Sequence, residues 1–379
     1  MQILEKTELD FSDVLIKPRR STLSSRVDVD INRKYKFKWT SSVAYGTGIM
    51  QSNMGTIGTV DVSRKMLKGG LFACLHKHHD IQDLIDFYKS LDPDTEWNRC
   101  FISIGLKDNG LEKVRKLKEM VFVNEEYDPS ICIDVPNGYI PQVKELVIKV
   151  RKEFPHSIIM VGNVVTGDIV EDLILSGADI VKVGIGNGSN CLTRRQTGVG
   201  RPQFSTIVEC ADAAHQVGGM VCADGGITCP GDIGKAFGAG ADFIMIGGLY
   251  AGTDEADGEI IEKTYLTTER NTEHNTCGFK SHDKVYETKK FKMFYGMSST
   301  LAQEKFGNGK PKYRASEGRV TLVPYVGSVD DVNEEFLGGL RSTMTYIGAA
   351  KLKDIPKCCV FYKVNNQLNR MYENTTIGK

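Results

Sequence analysis

Apolar residues fall in short runs along the chain, each closed by glycine, by a polar residue or by both. The runs occupy 48–52, 71–75, 100–105, 131–135, 158–162, 180–185, 220–223 and 243–246. Runs this short, closed in this way, predict buried strands. Between several of them the apolar spacing turns helical. Residues 142–154 carry Val143, Leu146, Val147 and Val150 on one face, 167–175 and 203–216 behave alike, and 232–237 follows Pro230. Proline is favoured at helix starts. Short strands alternating with helices predict parallel βαβ units, and eight of them predict a closed (β/α)8 TIM barrel of the α/β class. A doubly wound open sheet is the alternative that periodicity leaves.

Residues 1–45 hold no long helical period and read as a lead-in arm. After the eighth run the alternation stops, and an excursion over 253–328 precedes a final helix from Val329 to about Ala349. Within it, 264–290 is polar and charged without an apolar period, which predicts a mobile segment. The last part holds one strand-like run, 358–364, and a polar tail. The expected organisation is an arm at 1–45, a catalytic barrel at 46–350 that includes the excursion, and a tail at 351–379.

The 379 residues exceed the ~250 of a typical barrel, which leaves length for arm and excursion. Charge is balanced, 48 basic against 48 acidic residues, so neither a nucleic-acid partner nor an anionic membrane surface is expected. No run approaches the ~20 apolar residues that span a bilayer. The ten cysteines are scattered without CxxC or metal-ligand spacing. With no signal peptide, this usage predicts reduced thiols in the cytoplasm.

In such a barrel the residues just past each strand share one face. Reading there gives SNM at 52–54, HKHH at 76–79, DVPNGY at 134–139, GNVVTG at 162–167, DGG at 224–226 and GG at 247–248. The sixth position is the most distinctive, VGIGNGSNCLTRRQTGVGRPQ at 183–203. Gly184, Gly186 and Gly188 allow sharp turns and bring bare amides to a ligand. Cys191 follows among Ser189, Asn190, Thr193, Arg194, Arg195 and Gln196. A thiol among arginines ionises more readily than a free one at about pKa 8.5, and the thiolate is the nucleophile. Gly225, Gly226, Gly247 and Gly248 follow the seventh and eighth runs, where barrels frequently bind phosphate. With Ser189 they point to a phosphate cradle, and Asp224 beside it suits two ribose hydroxyls, giving a nucleoside monophosphate. HKHH has no matching carboxylate or cysteine set at metal spacing and alone reads as a solvated basic loop. Asp134 before Pro136 alone reads as a helix cap.

GIGNGSNCLTR followed by TGVGRPQ resembles the cysteine loop of the IMP dehydrogenase and GMP reductase family, written GIGPGS-x-C-T-T-R…TGVG-x-PQ. The likeness runs from about Phe11 to the C-terminus. GNVVTG, LSGADIVKVGIG, ECADAAH, CPGDIGKAFGAGADF, FYGMSS, YRASEG and GGLRST…YIGAAKLK are similar to the reductases of that family. The dehydrogenases usually carry regulatory modules near HKHH and an Arg-Tyr flap that activates water. Here 80–99 passes straight to the next run, and no Arg-Tyr pair lies between Ser299 and Tyr313.

The resemblance therefore implies reductive deamination of GMP to IMP and ammonia, with NADPH as reductant and a thioimidate on Cys191. It implies Cys191, Thr193 and Glu317 as catalytic residues. Substrate contacts are implied at Ser189, Asp224, Gly225, Gly226, Gly247 and Gly248. Gly296, Met297, Ser298, Arg314, Ala315, Ser316, Glu317 and Gly318 are implied over the purine. For NADPH it implies Ser25, Arg26, Lys77, Asp134, Val135, Pro136, Ile185, Gly186, Met297 and Arg314. Ser342, Thr343, Met344 and Thr345 of a neighbouring subunit join them, so a homo-oligomer, a tetramer by resemblance, is expected. A monovalent cation, K+, is implied at Gly186, Gly188, Cys191 and Arg194.

Three positions depart from the family pattern. Asn187 stands for proline, Leu192 for the first threonine, and Gly55 for the aspartate of N-M-D-T-V-G-T. The first two fall in the cation loop, and the third removes a carboxylate from the base-binding end. A dehydrogenase lacking its modules, a reductase of a related 2-aminated or deoxy purine nucleotide, and an inactive nucleotide-binding protein stay open as alternatives.

Overall fold

Eight parallel strands, each followed by a helix, form the centre of this computed structural model. It describes the chain except Gln2, Asp108, Glu125, 275–279, 307–315 and 366–379, with side chains described outside 267–285. The strands are β1 (Ile49–Gln51), β2 (Ala73–Leu75), β3 (Cys100–Ile104), β4 (Ser130–Asp134), β5 (Ile159–Val164), β6 (Ile180–Val183), β7 (Met220–Asp224) and β8 (Phe243–Ile246). They neighbour one another in chain order, β8 pairs back onto β1, and a parallel bridge from Met50 to Phe72 joins β1 to the approach of β2. That closure decides against the open sheet. Strands β2, β3, β6 and β8 are buried at every residue, which is why they read as continuous apolar runs instead of alternations.

One end of the barrel is plugged. Tyr35, from a hairpin of Arg33–Lys36 and Val43–Gly46, is fully buried, stacked on Phe243 at 4.5 Å and edge-on to Phe72 at 5.4 Å. Both partners lie where their strands begin, so open space is left at the strands' C-terminal ends.

The helices are α1 (Val60–Lys68), α2 (Ile81–Lys89), α3 (Asn109–Val121), α4 (Pro141–Glu153), α5 (Gly167–Leu175), α6 (Gln203–Gln216), α7 (Pro230–Gly238) and α8 (Val329–Ile347). The five predicted from spacing are present, the fourth of them extended to Pro230–Gly238. Helices α1 to α3 carry many charges between their apolar positions, yet α3 buries Leu111, Val114, Leu117 and Val121 along one stripe. A capping box of Ser328 and Asp331 starts α8, and Gly348 at φ 72° ends it. It packs against α7 and α1 and so completes the ring.

The excursion corrects the expectation for 264–290. Instead of a segment without structure, strands β9 (Ile260–His274) and β10 (Lys280–Tyr295) pair as a long antiparallel hairpin, and β11 (Val320–Pro324) adds to β10. Period-2 hydrophobicity is written only where one face of a sheet is buried. Here cross-strand polar pairs carry the contact, such as Thr264–Thr288 at 3.0 Å and Glu262–Lys290 at 3.6 Å. The arm and tail meet: Val14–Ile16 pairs with Phe361–Lys363, inside the run predicted at 358–364. Cys358 at its start instead ends a short helix, Ile355–Cys358. The nine described cysteines are all free, and no described helix is long and apolar enough to cross a membrane.

Candidate active site

The C-terminal ends of the strands open into a cavity of about 1030 Å³, at the upper end for small-molecule sites. It is lined by residues from every predicted cluster: 52–54, Lys77 and His78, 134–136, Asn163, 184–191, Thr193, 224–226, Gly247 and Gly248. The excursion adds Phe294, Gly296, Met297, Ser298, Glu317 and Gly318, and the arm adds 10–13.

Half-buried Cys191 donates from Sγ to Thr193 Oγ1 at 3.2 Å, and Thr193 Oγ1 donates to Glu317 Oε2 at 2.7 Å. The glutamate reaches this point because the chain before β11 lies antiparallel to the cysteine loop. Cys191 bridges to Gly318, Leu192 N donates to Glu317 O at 2.6 Å, and Arg319 N donates to Asn190 O at 3.1 Å. Buried Asn190 ties the same loop to the hairpin, donating to Phe294 O at 3.1 Å and accepting from Thr321 Oγ1 at 3.0 Å. Thiol, hydroxyl and carboxylate thus form a continuous proton path with geometry suited to acid–base work.

The glycine pairs past β7 and β8 converge on the cysteine loop. Gly225 and Gly226 hold φ of 83° and 86°, a region closed to most side chains. A Cβ on Gly248 would lie 2.7 Å from Ser189 Oγ, so bare backbone is required beside that hydroxyl.

Between the expected cofactor and substrate ends sits a lysine that the sequence reading missed. Lys182, buried on β6, donates from Nζ to Asp134 Oδ1 and Asp224 Oδ2, each at 2.9 Å. Asn163 Nδ2 joins at Asp224 Oδ2, 2.9 Å, and Lys77 Nζ stands 3.6 Å from Asp134 Oδ2. Burial works against the Asp134 carboxylate, but Lys182 and then Lys77 outweigh it and hold its pKa well below the usual range. Burial likewise works against the Lys182 ammonium, and Asp134 and Asp224 prevail, raising its pKa. A signal was available: a lone lysine inside an apolar run has no solvent face in a closed barrel.

The histidines are packed, not solvated. His76 is buried and stacks on His79 at 3.8 Å, while His78 stacks on Phe306 at 4.5 Å. Burial, with His79 and His78, pushes the His76 pKa down to about 3, and burial, with Lys77 and Lys113, pushes His78 down to about 4. Among the described residues no group of three or more His, Cys, Asp or Glu side chains gathers as a metal site. Phe306 ends the short helix Thr300–Phe306 and lies on Gly55, where a Cβ would meet its Cε2 at 2.7 Å. An aromatic ring thus covers the position where the family pattern has aspartate.

Other expected residues stand elsewhere in the single chain. Ser25 caps a 3-10 turn, Arg26–Asp28, that packs on α8. On α8, Ser342, Thr343 and Thr345 bond to backbone carbonyls within the helix, and Met344 is fully buried. None of these lines the cavity. Ser316 donates to Ser298 O at 3.3 Å, and Arg314 and Ala315 lie outside the described residues.

The residues expected to hold a cation make contacts of their own. Gly188 O accepts from Cys191 N at 3.0 Å and Arg194 O from Gly198 N at 3.1 Å. The Arg194 side chain lies across Gly186, where a Cβ would be 3.0 Å from its Nε. The guanidinium thus holds a fixed positive charge against that residue.

Comparison with known proteins gives the same picture over nearly the whole chain. The family model described as IMP dehydrogenase / GMP reductase domain matches residues 8–272 and 276–371. A GMP reductase of Vibrio atlanticus (strain LGP32) is 44% identical over 372 residues, 98% of this chain and 99% of that protein. A GMP reductase of Caenorhabditis elegans is 45% identical over 371 residues, 98% and 96%. GMP reductase 2 of Mus musculus is 44% identical over 369 residues, 97% of each. The match takes in arm, barrel, excursion and the start of the tail, every part that lines the cavity, and the chain belongs to the IMP dehydrogenase/GMP reductase family.

Proposed function

We propose that the protein is a GMP reductase that converts GMP to IMP and ammonia at the expense of NADPH. The observation that carries this reading is the path from Cys191 through Thr193 to Glu317, supported by relatives named GMP reductase. The phosphate is assigned to Ser189, Gly225, Gly226, Gly247 and Gly248, and the ribose to Asp224. The purine is assigned to Gly296, Met297, Ser298 and the 314–318 segment.

Cys191 gives its proton to the Thr193–Glu317 pair and attacks C2 of the purine, forming an S–C2 bond. The same pair returns that proton to the departing 2-amino group, which leaves as ammonia. The thioimidate so formed takes a hydride at C2, and the C2–S bond breaks to release IMP and the Cys191 thiolate. A cysteine suits both halves because it is strongly nucleophilic and is readily expelled.

The nicotinamide of NADPH supplies the hydride when bound. Apolar Val135 and Pro136 beside the Lys77 ammonium fit a flat, amide-bearing ring, with Asp134, Ile185, Gly186 and Met297 around them. Ser25 and Arg26 with Ser342, Thr343, Met344 and Thr345 from a second chain complete the assignment, in a cytoplasmic homotetramer. The test is purified protein with GMP and NADPH, following absorbance loss and ammonia together. Equal amounts of both support the reading, and XMP formed from IMP and NAD would overturn it in favour of the dehydrogenase.

A further inference from the structure

We infer that Asn187 clamps the cysteine loop through Arg194, and that the loop is thereby set without a monovalent cation. The Arg194 guanidinium donates from Nη2 to Asn187 Oδ1 and to Arg201 O, the latter at 2.6 Å. Asn187 Nδ2 in turn donates to Gln203 Oε1. Buried Gln203 donates from Nε2 to Val183 O at 3.0 Å and to Asp224 O at 3.2 Å, the ends of β6 and β7. A continuous chain of hydrogen bonds therefore runs from the helical turn Thr193–Thr197, which follows Cys191, down to the barrel rim.

Asn187 is the link that makes this chain possible. Its amide is acceptor on one side and donor on the other, and the proline of the family pattern has neither side-chain group. Two glycines make room for the arginine. Gly186 at φ 82° and Gly200 at φ 153° flank it, and a Cβ on Gly200 would lie 2.7 Å from Arg194 Cγ and 3.0 Å from Nε. The fixed positive charge thus lies against Gly186, one of the four residues the family pattern gives to a cation. Asp10 Oδ2 of the arm, 3.7 Å from Arg194 Nη1, faces it from the other side. Asn187 is a positioning residue, and the inference holds whichever purine nucleotide the cavity takes.

The test is the rate at which iodoacetamide alkylates Cys191, mapped by peptide mass spectrometry with exposed Cys229 as internal reference. It is run in potassium and in choline at equal ionic strength, with thermal midpoints measured alongside. Wild-type rates and midpoints are expected to be the same in both salts. Asn187→Pro, or Asn187→Ala if the proline variant does not fold, should change the Cys191 rate in choline by about tenfold, as loss of a charge-assisted hydrogen bond implies. Asn187→Asp, which keeps the acceptor for Arg194 but loses the donor to Gln203, should change the rate less than Asn187→Pro or Asn187→Ala does. A wild-type rate or midpoint that shifts saturably with potassium would overturn the inference, as would an Asn187→Pro or Asn187→Ala rate equal to wild type.

Discussion

Thr193 Oγ1 lies 2.7 Å from Glu317 Oε2 although 124 residues separate them in the chain. The hydroxyl also accepts from Cys191, so the threonine stands between nucleophile and acid. Cys191 is only two residues away, but Glu317 is not local: that pairing exists because the excursion returns along the cysteine loop before α8 closes the barrel. The hairpin thereby acquires a structural part in the site, since β10 runs directly into Gly296 and β11 begins two residues after Gly318.

Lys182→Met should destabilise the fold strongly, because it leaves the Asp134 and Asp224 carboxylates near one another without their shared ammonium. Breaking a buried ion pair costs about 3–5 kcal/mol, read as a fall in the urea midpoint at pH 7. A change within experimental error would show that solvent, and not Lys182, carries those charges.

Gly55→Ala should force Phe306 off its seat, since the added Cβ meets the ring at 2.7 Å. Overpacking of this kind costs about 1–3 kcal/mol. The double variant Gly55→Ala/Phe306→Leu should recover most of it, and additive losses across the cycle would separate the two residues.

Stability should fall as pH drops from 7 to 5, in part through His76. An unfolded histidine titrates near 6.5, whereas folded His76 stays neutral down to about 3. The unfolded chain therefore binds the extra proton in this window, and stability is lost as pH falls through 6.5. At pH 5 the loss from His76 is about 2 kcal/mol. His215, whose pKa is raised by its hydrogen bond to Asp242, contributes with the opposite sign, so the comparison is with His76→Asn, whose pH dependence should be flatter.

Arg26→Ala should raise the apparent NADPH constant about tenfold and leave that for GMP near wild type, because a guanidinium pairs bidentately with a phosphate. Steady-state kinetics beside sedimentation would check it. An unchanged NADPH constant, or full activity in a monomer, contradicts the shared site.

Much of this was legible in the sequence where burial writes a pattern. All eight barrel strands stand within their predicted runs or overlap them, and residues past seven of the eight runs line one cavity. Legibility failed where contacts are not hydrophobic or not local. Over 264–266 and 286–290 the hairpin's side chains are exposed, so its pairing there left no apolar period. Lys182 stood unremarked inside an apolar run, and its role depends on Asp134 and Asp224 arriving from two other strands. Gly55 read as a lost carboxylate, and only the fold shows Phe306 over it. Asn187 read as a lost proline, while its amide partners Arg194 and Gln203 become visible only when the loop is built.

The most direct measurement of the account is the separation of half-reactions in Glu317→Gln. Only the first half delivers a proton to a departing amine, so turnover of GMP should fall by roughly 100-fold or more. The reverse hydride transfer, from IMP and NADP to NADPH with purine held on the enzyme, should remain measurable. Cys191→Ala should lose both signals while still binding GMP, because the cradle at Ser189, Gly226 and Gly248 is untouched. Equal loss of both half-reactions in Glu317→Gln, with nucleotide binding intact, would contradict the assignment of Glu317 as the acid of the ammonia step.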